Sequence, residues 1–333
     1  MPAADALSAT IGGLRAVAKR ASPRKTDLGK RRATALGQNF LLDSGVLKKF
    51  AAAAGPLGDT SLVVEIGAGP GGLTAALLAA GAPRVVAIER DFECVQALLG
   101  GSLPEVAGER LRLIHGDARN FGLAALCDEE GASAPRSIKV VGNLPFSVGT
   151  RLLVDWMPPD PRVASMTLLF QREVADRICA TVGEKSYSRL SVLVQSWATP
   201  QLLFGLGPSA FTPPPKVSTA VLGITPIAES ERPLAPERAP SLHAVTAAAF
   251  QQRRKMLRSS LAKIPLPEGM AVTEGQRERH SNVIGVSVAE ELCAEAGVVS
   301  SLRAGALELE GFAALADVHH RWLQEFGPAA PAQ

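Results

Sequence analysis

Ser61-Leu62-Val63-Val64-Glu65-Ile66-Gly67-Ala68-Gly69-Pro70-Gly71-Gly72 sets the class of this chain. Its first half is a short apolar, β-branched run, which predicts a strand over Ser61 to Ile66. The glycines follow at once, and an apolar helical pattern runs from Leu73 to Ala80. Strand, glycine turn and helix in that order form the nucleotide-binding unit of α/β sheets, where small residues let backbone approach a ligand. The spacing satisfies both G-x-G-x-x-G and the G-x-G-x-G of methyl-donor enzymes, so the glycines alone leave the cofactor open. Glu65 is unusual for a dinucleotide fold, because a carboxylate in a buried strand needs donors. It could hold the N–H groups of the loop or meet a cationic ligand.

Downstream, the same strand-and-turn grammar repeats. Arg84 to Ile88 predicts a second strand ending in Glu89, about 20 residues past the first glycine, the interval expected for an acid on a ribose diol. Leu111 to His115 predicts a third, followed by Gly116-Asp117-Ala118; a carboxylate there can accept from the amino group of an adenine bound across the sheet edge. His115 reads as a strand-end residue rather than a catalyst. Ile138 to Gly142 predicts a fourth strand, and Asn143-Leu144-Pro145-Phe146 sits at its carboxyl end, where open α/β sheets bind ligands. Asn143 brings a donor and an acceptor, Pro145 removes a backbone donor, and Phe146 offers a face for a base to stack on. Acceptors beside an aromatic plate suit an exocyclic amine on a planar heterocycle. The plain alternative is an ordinary strand-to-helix loop. Met166 to Phe170 predicts a fifth strand, Arg172 to Ala180 a helix, and Val217 to Ile224 a last strand after Phe211-Thr212-Pro213-Pro214-Pro215-Lys216-Val217. The Pro run cannot be central strand, and it would hold Phe211 in a rigid loop.

Upstream, Gly37-Gln38-Asn39-Phe40-Leu41-Leu42-Asp43 precedes a helical pattern through Val46, Leu47, Phe50 and Ala54, with Asp43 or Ser44 as N-cap. Residues 1 to 36 carry Arg15, Lys19, Arg20, Arg24, Lys25, Lys30, Arg31 and Arg32 against Asp5 and Asp27. Such a segment fits a phosphate-contacting arm, or in part an organelle transit peptide; the arm is the favoured reading. Beyond a Pro-, Glu- and Ala-rich linker at 227 to 240, a helix from Leu242 to Leu261 carries Arg253, Arg254, Lys255 and Arg258 with no acid among them. Ser287 to Cys293 and Phe312 to Phe326 complete a small helical domain over 241 to 326, with a disordered tail over 327 to 333. Two basic segments flanking a nucleotide fold point to a nucleic-acid partner, although the net charge is only +3.

The 333 residues suffice for one large domain and a smaller one. A 47% hydrophobic and 20% charged composition is globular rather than disordered. Cys94, Cys127, Cys179 and Cys293 lie far apart and read as reduced thiols, not a disulfide frame or zinc site. The five histidines show no metal-ligand spacing, so no metal is expected. No apolar run reaches membrane-span length.

Taken together, Gly37 to Leu41, Glu65 to Gly71, Asn143 to Phe146 and Phe211 to Val217 resemble the ribosomal RNA adenine N6-dimethyltransferase family, in its small-subunit (KsgA-type) branch. Gln252-Arg253-Arg254-Lys255 adds to the match, and the similarity runs from about Leu14 to about Leu261. The resemblance implies a Rossmann-like methyltransferase sheet over 37 to 226, mostly parallel with an antiparallel last hairpin, and S-adenosylmethionine as donor. Asn39 and Leu41 would close over the donor, with Glu65, Gly67 and Gly69 at the loop. Glu89 would take its ribose hydroxyls and Asp117 its adenine. Asn143 would lie between donor and target, with the Leu144 carbonyl as second acceptor and Pro145 shaping the loop. Phe146 and Phe211 would sandwich the target adenine. Arg31, Arg32, Arg253, Arg254, Lys255 and Arg258 would hold rRNA phosphates. Phe146 stands where Tyr is frequent and Gly149 where Ser is usual. The segment from Pro23 to Thr34 is longer and more basic than the family pattern.

The implied function is dimethylation of N6 on two adjacent adenosines near the 3′ end of small-subunit rRNA, by a monomer acting in the cytoplasm, or in an organelle if the basic N-terminus is a transit peptide. The implied partner is the pre-mature small subunit. Three rivals remain in view: a large-subunit methylase of the antibiotic-resistance type, a non-catalytic ribosome-assembly or organelle transcription factor on the same fold, and an NAD-dependent oxidoreductase.

Overall fold

The computed structural model describes residues 39–59, 62–103, 108–132, 136–267, 269–270 and 282–327. The basic segment with Arg31 and Arg32, and nearly all of the expected tail, lie outside them. The chain divides into two compact units, residues 1–175 with 199–226 and residues 176–198 with 227–333.

The first unit is built on a seven-stranded sheet. In chain order its elements are β1 (Phe40–Leu41), α1 (Ser44–Ala53), β2 (Leu62–Ile66), α2 (Gly72–Ala79), β3 (Val85–Glu89), α3 (Phe92–Ala97), β4 (Leu111–His115), α4 (Leu123–Glu129), β5 (Ile138–Asn143), α5 (Gly149–Asp155) and β6 (Val163–Gln171). Helices α6 (Arg172–Cys179) and α7 (Arg189–Gln195) follow, then β7 (Ala198–Leu206), β8 (Phe211–Thr212) and β9 (Thr219–Pro226). The sheet order is β4-β3-β2-β5-β6-β9-β7. Pairs β4/β3, β3/β2, β2/β5 and β5/β6 are parallel, and β9 runs antiparallel to β6. Strand order reverses between β2 and β5, so a crevice opens there at the carboxyl ends of the strands.

The central strands are apolar throughout because both faces are covered. Every residue of β2 and of β3 is buried, as parallel strands beneath helices require. Each fully buried aliphatic side chain contributes roughly 1.5–3 kcal/mol. Asp43 caps α1, its Oδ1 accepting from Val46 N at 2.9 Å. Lys139, near the start of β5, sends its ammonium to the carbonyls of Ala54 and Pro56, both at 2.7 Å. It thereby satisfies acceptors at the carboxyl end of α1 and ties that helix to the sheet.

In the second unit, α8 (Ala239–Gln251) and α11 (Leu309–Phe326) pack on each other and on α7, while α9 (Leu257–Leu261) and α10 (Gly285–Glu295) pack together and against α8 and α11 respectively. Tyr187 and Phe250 meet edge-on at 6.0 Å, and Phe250 stacks on Phe312 at 5.5 Å. Residues 176–198, which the sequence reading left within the sheet domain, belong to this unit. The linker expected over 227 to 240 instead folds as 3-10 turns at Glu229–Glu231 and Pro236–Arg238 and the first residues of α8.

The continuous helix expected from Leu242 to Leu261 is broken. It stops at Gln251, and Arg253, Arg254 and Lys255 form a turn before α9. The physical reason lies 45 residues downstream: Leu257 N donates to Leu302 O at 2.7 Å and Arg258 N to Ser300 O at 3.0 Å, while Met256 bridges Arg303. A continuous α-helix would use those amides internally.

Candidate active site

Four strand tips bring the chemistry together. The loop after β2, Glu89 at the end of β3, Asp117 after β4 and Asn143 at the end of β5 all line one cleft, with Asn39, Phe40 and the segment Leu144 to Val148. Its empty space, counting the solvent at its open mouth, is about 880 Å³.

The glycine loop is held tightly. Gly67, Gly69 and Gly71 have φ of +78°, +54° and +93°, a region side chains rarely enter. A Cβ on Gly67 would stand 3.2 Å from the Asn143 carbonyl oxygen, and one on Gly69 would stand 3.1 Å from the Phe40 ring. The loop's amides are spent inside the fold. Gly67 N and Ala68 N donate to Ile88 O, Gly71 N donates to Ala68 O, and Gly69 N donates to Glu89 Oε2 at 2.6 Å. Few N–H groups remain to cradle a pyrophosphate, which argues against a dinucleotide.

Glu89, not Glu65, holds the loop. Its second oxygen accepts from Asp91 N at 2.6 Å. Burial pushes the carboxyl up, and these amides oppose the shift. A carboxylate has about four acceptor positions, so both oxygens can still receive hydroxyls. Glu65 is fully buried and lies off the cleft lining; neither of its oxygens makes a hydrogen bond, nor does Thr74 Oγ1. Desolvation raises its carboxyl to about 8.

Asp117 caps a 3-10 turn and is gripped by Arg119. Oδ1 accepts from the Arg119 amide at 3.0 Å and Nε at 3.1 Å, and Oδ2 accepts from Nη2 at 2.7 Å. Arg90 Nη1 stands 3.4 Å from Oδ2. Hydrogen bonds from Arg119 bring the carboxyl down to about 2.

Asn143 has a defined orientation. Its Nδ2 donates to the Asn39 carbonyl at 3.0 Å. A carbonyl only accepts, so the amide must present NH₂ to Asn39 and leave Oδ1 on the other side. Among the described residues no donor reaches that oxygen. The Leu144 carbonyl likewise takes no hydrogen bond from them, whereas Pro145 O accepts from Val148 N and Gly149 N, both at 3.0 Å. Gly149 opens α5, and Val148 in the N-cap position offers no side-chain cap.

Phe146 lines the cleft and is half-buried. Phe211 does not line it: 4% exposed, it lies in the hydrophobic core, where β8 pairs Phe211 with Leu41 and Thr212 with Phe40. Leu41 is equally buried and off the cleft. The short β1–β8 ladder does bring Asn39 and Phe40 over the glycine loop. His115 is exposed, its ring 5.6 Å from that of Phe92.

The basic residues of the second unit divide in two. The Arg253 guanidinium donates to the Tyr187 carbonyl, and Arg258 Nε lies 3.6 Å from Glu290. The Arg254 and Lys255 side chains are exposed and have no partner among the described residues. The sequence reading missed Arg90, Arg119 and Arg303. Only the fold places Arg303 beside Met256, whereas Arg90, next to Glu89, and Arg119, two residues after Asp117, could have been found by taking the near neighbours of the strand-tip acids.

Among the described residues no helix is long and apolar enough to cross a membrane, and no group of three His, Cys, Asp or Glu side chains could hold a metal. A family model described as ribosomal RNA adenine dimethylase matches residues 29–289. The chain is 45% identical over 284 residues to ribosomal RNA small subunit methyltransferase A of Rhodospirillum rubrum, covering 84% of this chain and 85% of that one. It is 43% identical over 300 residues to the protein of the same name from Afipia carboxidovorans, covering 88% and 93%. Two solved structures share the fold: a dimethyladenosine transferase from Plasmodium falciparum (TM-score 0.63, 21% identity, 86% and 98% covered) and the 23S rRNA methyltransferase ErmE (0.55, 20%, 84% and 99%). The match over most of the chain, on a fold with its strand tips so equipped, shows that this protein belongs to the ribosomal RNA adenine dimethylase family and is an S-adenosylmethionine-dependent rRNA adenine methyltransferase.

Proposed function

We propose that the protein dimethylates N6 of two adjacent adenosines near the 3′ end of small-subunit rRNA, on a pre-mature subunit, with the cleft between β2 and β5 as its active site. The observation that carries this reading is the Asn143 amide, turned by the Asn39 carbonyl so that Oδ1 is left as an open acceptor beside Phe146.

The cleft fits the donor's parts. Gly67 and Gly69, bare of side chains, leave room for its amino-acid end; Glu89 would accept from its ribose hydroxyls, and Asp117 from its adenine amine. S-adenosylmethionine supplies an electrophilic methyl on a sulfonium that is already a good leaving group. The adenine N6 lone pair is delocalised into the ring and nucleophilically poor. Asn143 Oδ1 and the Leu144 carbonyl would accept the two N6 hydrogens and favour a pyramidal nitrogen with its lone pair aimed across the cleft. Phe146 would stack on the extruded base, since a base left in its helix cannot reach the pocket. Orientation and fixed dipoles then supply most of the acceleration, and the surplus proton on the methylated amine leaves to water. With Phe211 in the core, the second wall of a sandwich requires the 211–217 loop to rearrange around the substrate.

Arg254 and Lys255 are the cations of the basic cluster free to meet phosphates, and Arg31 and Arg32 would add to them. The reading includes a monomer in the cytoplasm, or in an organelle if the basic N-terminus is a transit peptide. The test is tritiated methyl transfer to small subunits from cells lacking the modification, with nuclease mapping of the label. Asn143→Ala should abolish transfer and leave donor binding measurable; near wild-type transfer by that variant would refute the assigned role.

A further inference from the structure

Asp117 is not an open carboxylate. Oδ1 already receives two hydrogen bonds, from the amide and Nε of Arg119, and Oδ2 receives one, from Nη2. With about two acceptor positions per oxygen, Oδ1 is filled and a single position on Oδ2 remains. Arg90 Nη1 lies 3.4 Å from that oxygen, longer than a good hydrogen bond between charged groups. The fork fixes the plane of the carboxylate, because a guanidinium that engages both oxygens prevents rotation about the Cβ–Cγ bond.

We infer that Arg119 is a positioning residue for donor recognition: it turns Asp117 so that one Oδ2 lone pair is presented to the exocyclic amine of the donor's purine, and so selects a 6-amino purine. The inference rests on the proposed placement of the donor's adenine at Asp117. A 6-oxo purine would set oxygen against that lone pair, and a purine with hydrogen at C6 would leave it without a donor. Arg119 is half-exposed and reaches the donor only through Asp117, so its effect must vanish when Asp117 is removed. Arg90, which lines the cleft and leans on the same oxygen, would give way to the amine.

The test is calorimetric binding of S-adenosylhomocysteine and of its 6-deamino analogue to the full-length protein. Wild type should prefer the amino compound, and Asp117→Ala should lose that preference. Arg119→Ala should bind the amino compound about fivefold more weakly and the deamino compound unchanged, and should add nothing in an Asp117→Ala background. Arg119→Lys keeps the charge but not the fork, and should recover only part of the loss. An Arg119→Ala protein that binds both probes as wild type does, binds the amino compound more tightly, or loses affinity for both equally would overturn the inference. If Asp117→Ala itself leaves the preference for the amino compound intact, the placement of the donor fails instead.

Discussion

Replacing Glu65 with Gln should reverse the sign of its effect on stability between acid and alkaline pH. The carboxyl is fully buried, neither oxygen has a hydrogen-bond partner, and burial raises it from 4.5 to about 8. Nearby Thr74, without completing a hydrogen bond to either oxygen, pulls the other way, and Glu89 adds to the rise, but desolvation is the larger effect. An acid whose folded value lies above its unfolded one keeps its proton in the fold after the unfolded chain has released it. The fold therefore binds the extra proton between pH 4.5 and 8, and stability falls by about 1.4 kcal/mol per pH unit over that window. The total is roughly 5 kcal/mol by pH 8. Gln has the same shape and never titrates, but brings two N–H donors, of which Thr74 Oγ1 can accept only one, at a cost of about 1–3 kcal/mol. Glu65→Gln should then be less stable than wild type by about 1–3 kcal/mol at pH 4.5 and more stable by about 2–4 kcal/mol at pH 8.5, with a crossover near pH 6. Because the chain forms two units, a global melt would mix them. Hydrogen exchange of the β2 and β3 amides, corrected for intrinsic rates, reports the first unit alone. Parallel stability curves for variant and wild type from pH 4.5 to 8.5 would show that Glu65 is charged and partnered in the fold, and the reasoning would be wrong.

Gly67→Ala should cost about 1–2 kcal/mol from the left-handed backbone alone. Its Cβ also presses on the Asn143 carbonyl at 3.2 Å, so methyl transfer should fall further than the melting temperature predicts; equal losses would argue against a shared loop and strand tip. Changing Arg254 and Lys255 together to Gln should lower the slope of log affinity for rRNA against log salt by about one per cation. Arg258→Gln, already paired with Glu290, should lower it less, and equal slopes would place the rRNA elsewhere. His319, buried and bonded to Ser241 at 3.0 Å, is held down to about 4 by burial and then by His320. A depressed histidine gives stability present above pH 6.5 and lost as pH falls toward 4, here about 3 kcal/mol; His319→Gln should flatten that loss, read by hydrogen exchange of the α8 and α11 amides, corrected for intrinsic rates.

The parts whose signals are local could be read from the order of residues alone. The apolar runs that became β2 to β6, the glycine turn, and the acids and amide at the strand tips were all legible, because strand period, glycine spacing and caps depend on near neighbours. The family resemblance rested on the same short motifs. What depended on register between distant segments was not legible. The Asn143 amide is oriented by a carbonyl 104 residues away. Phe211 is drawn into the core by a two-residue ladder to β1. Arg253 to Lys255 leave the helix because residues 256–258 bond to 300–303. Glu89 rather than Glu65 grips the glycine loop because neighbouring strand ends meet only across the folded sheet. Periodicity tells a residue which face of its own element it occupies; which atom of another element waits there is settled by packing.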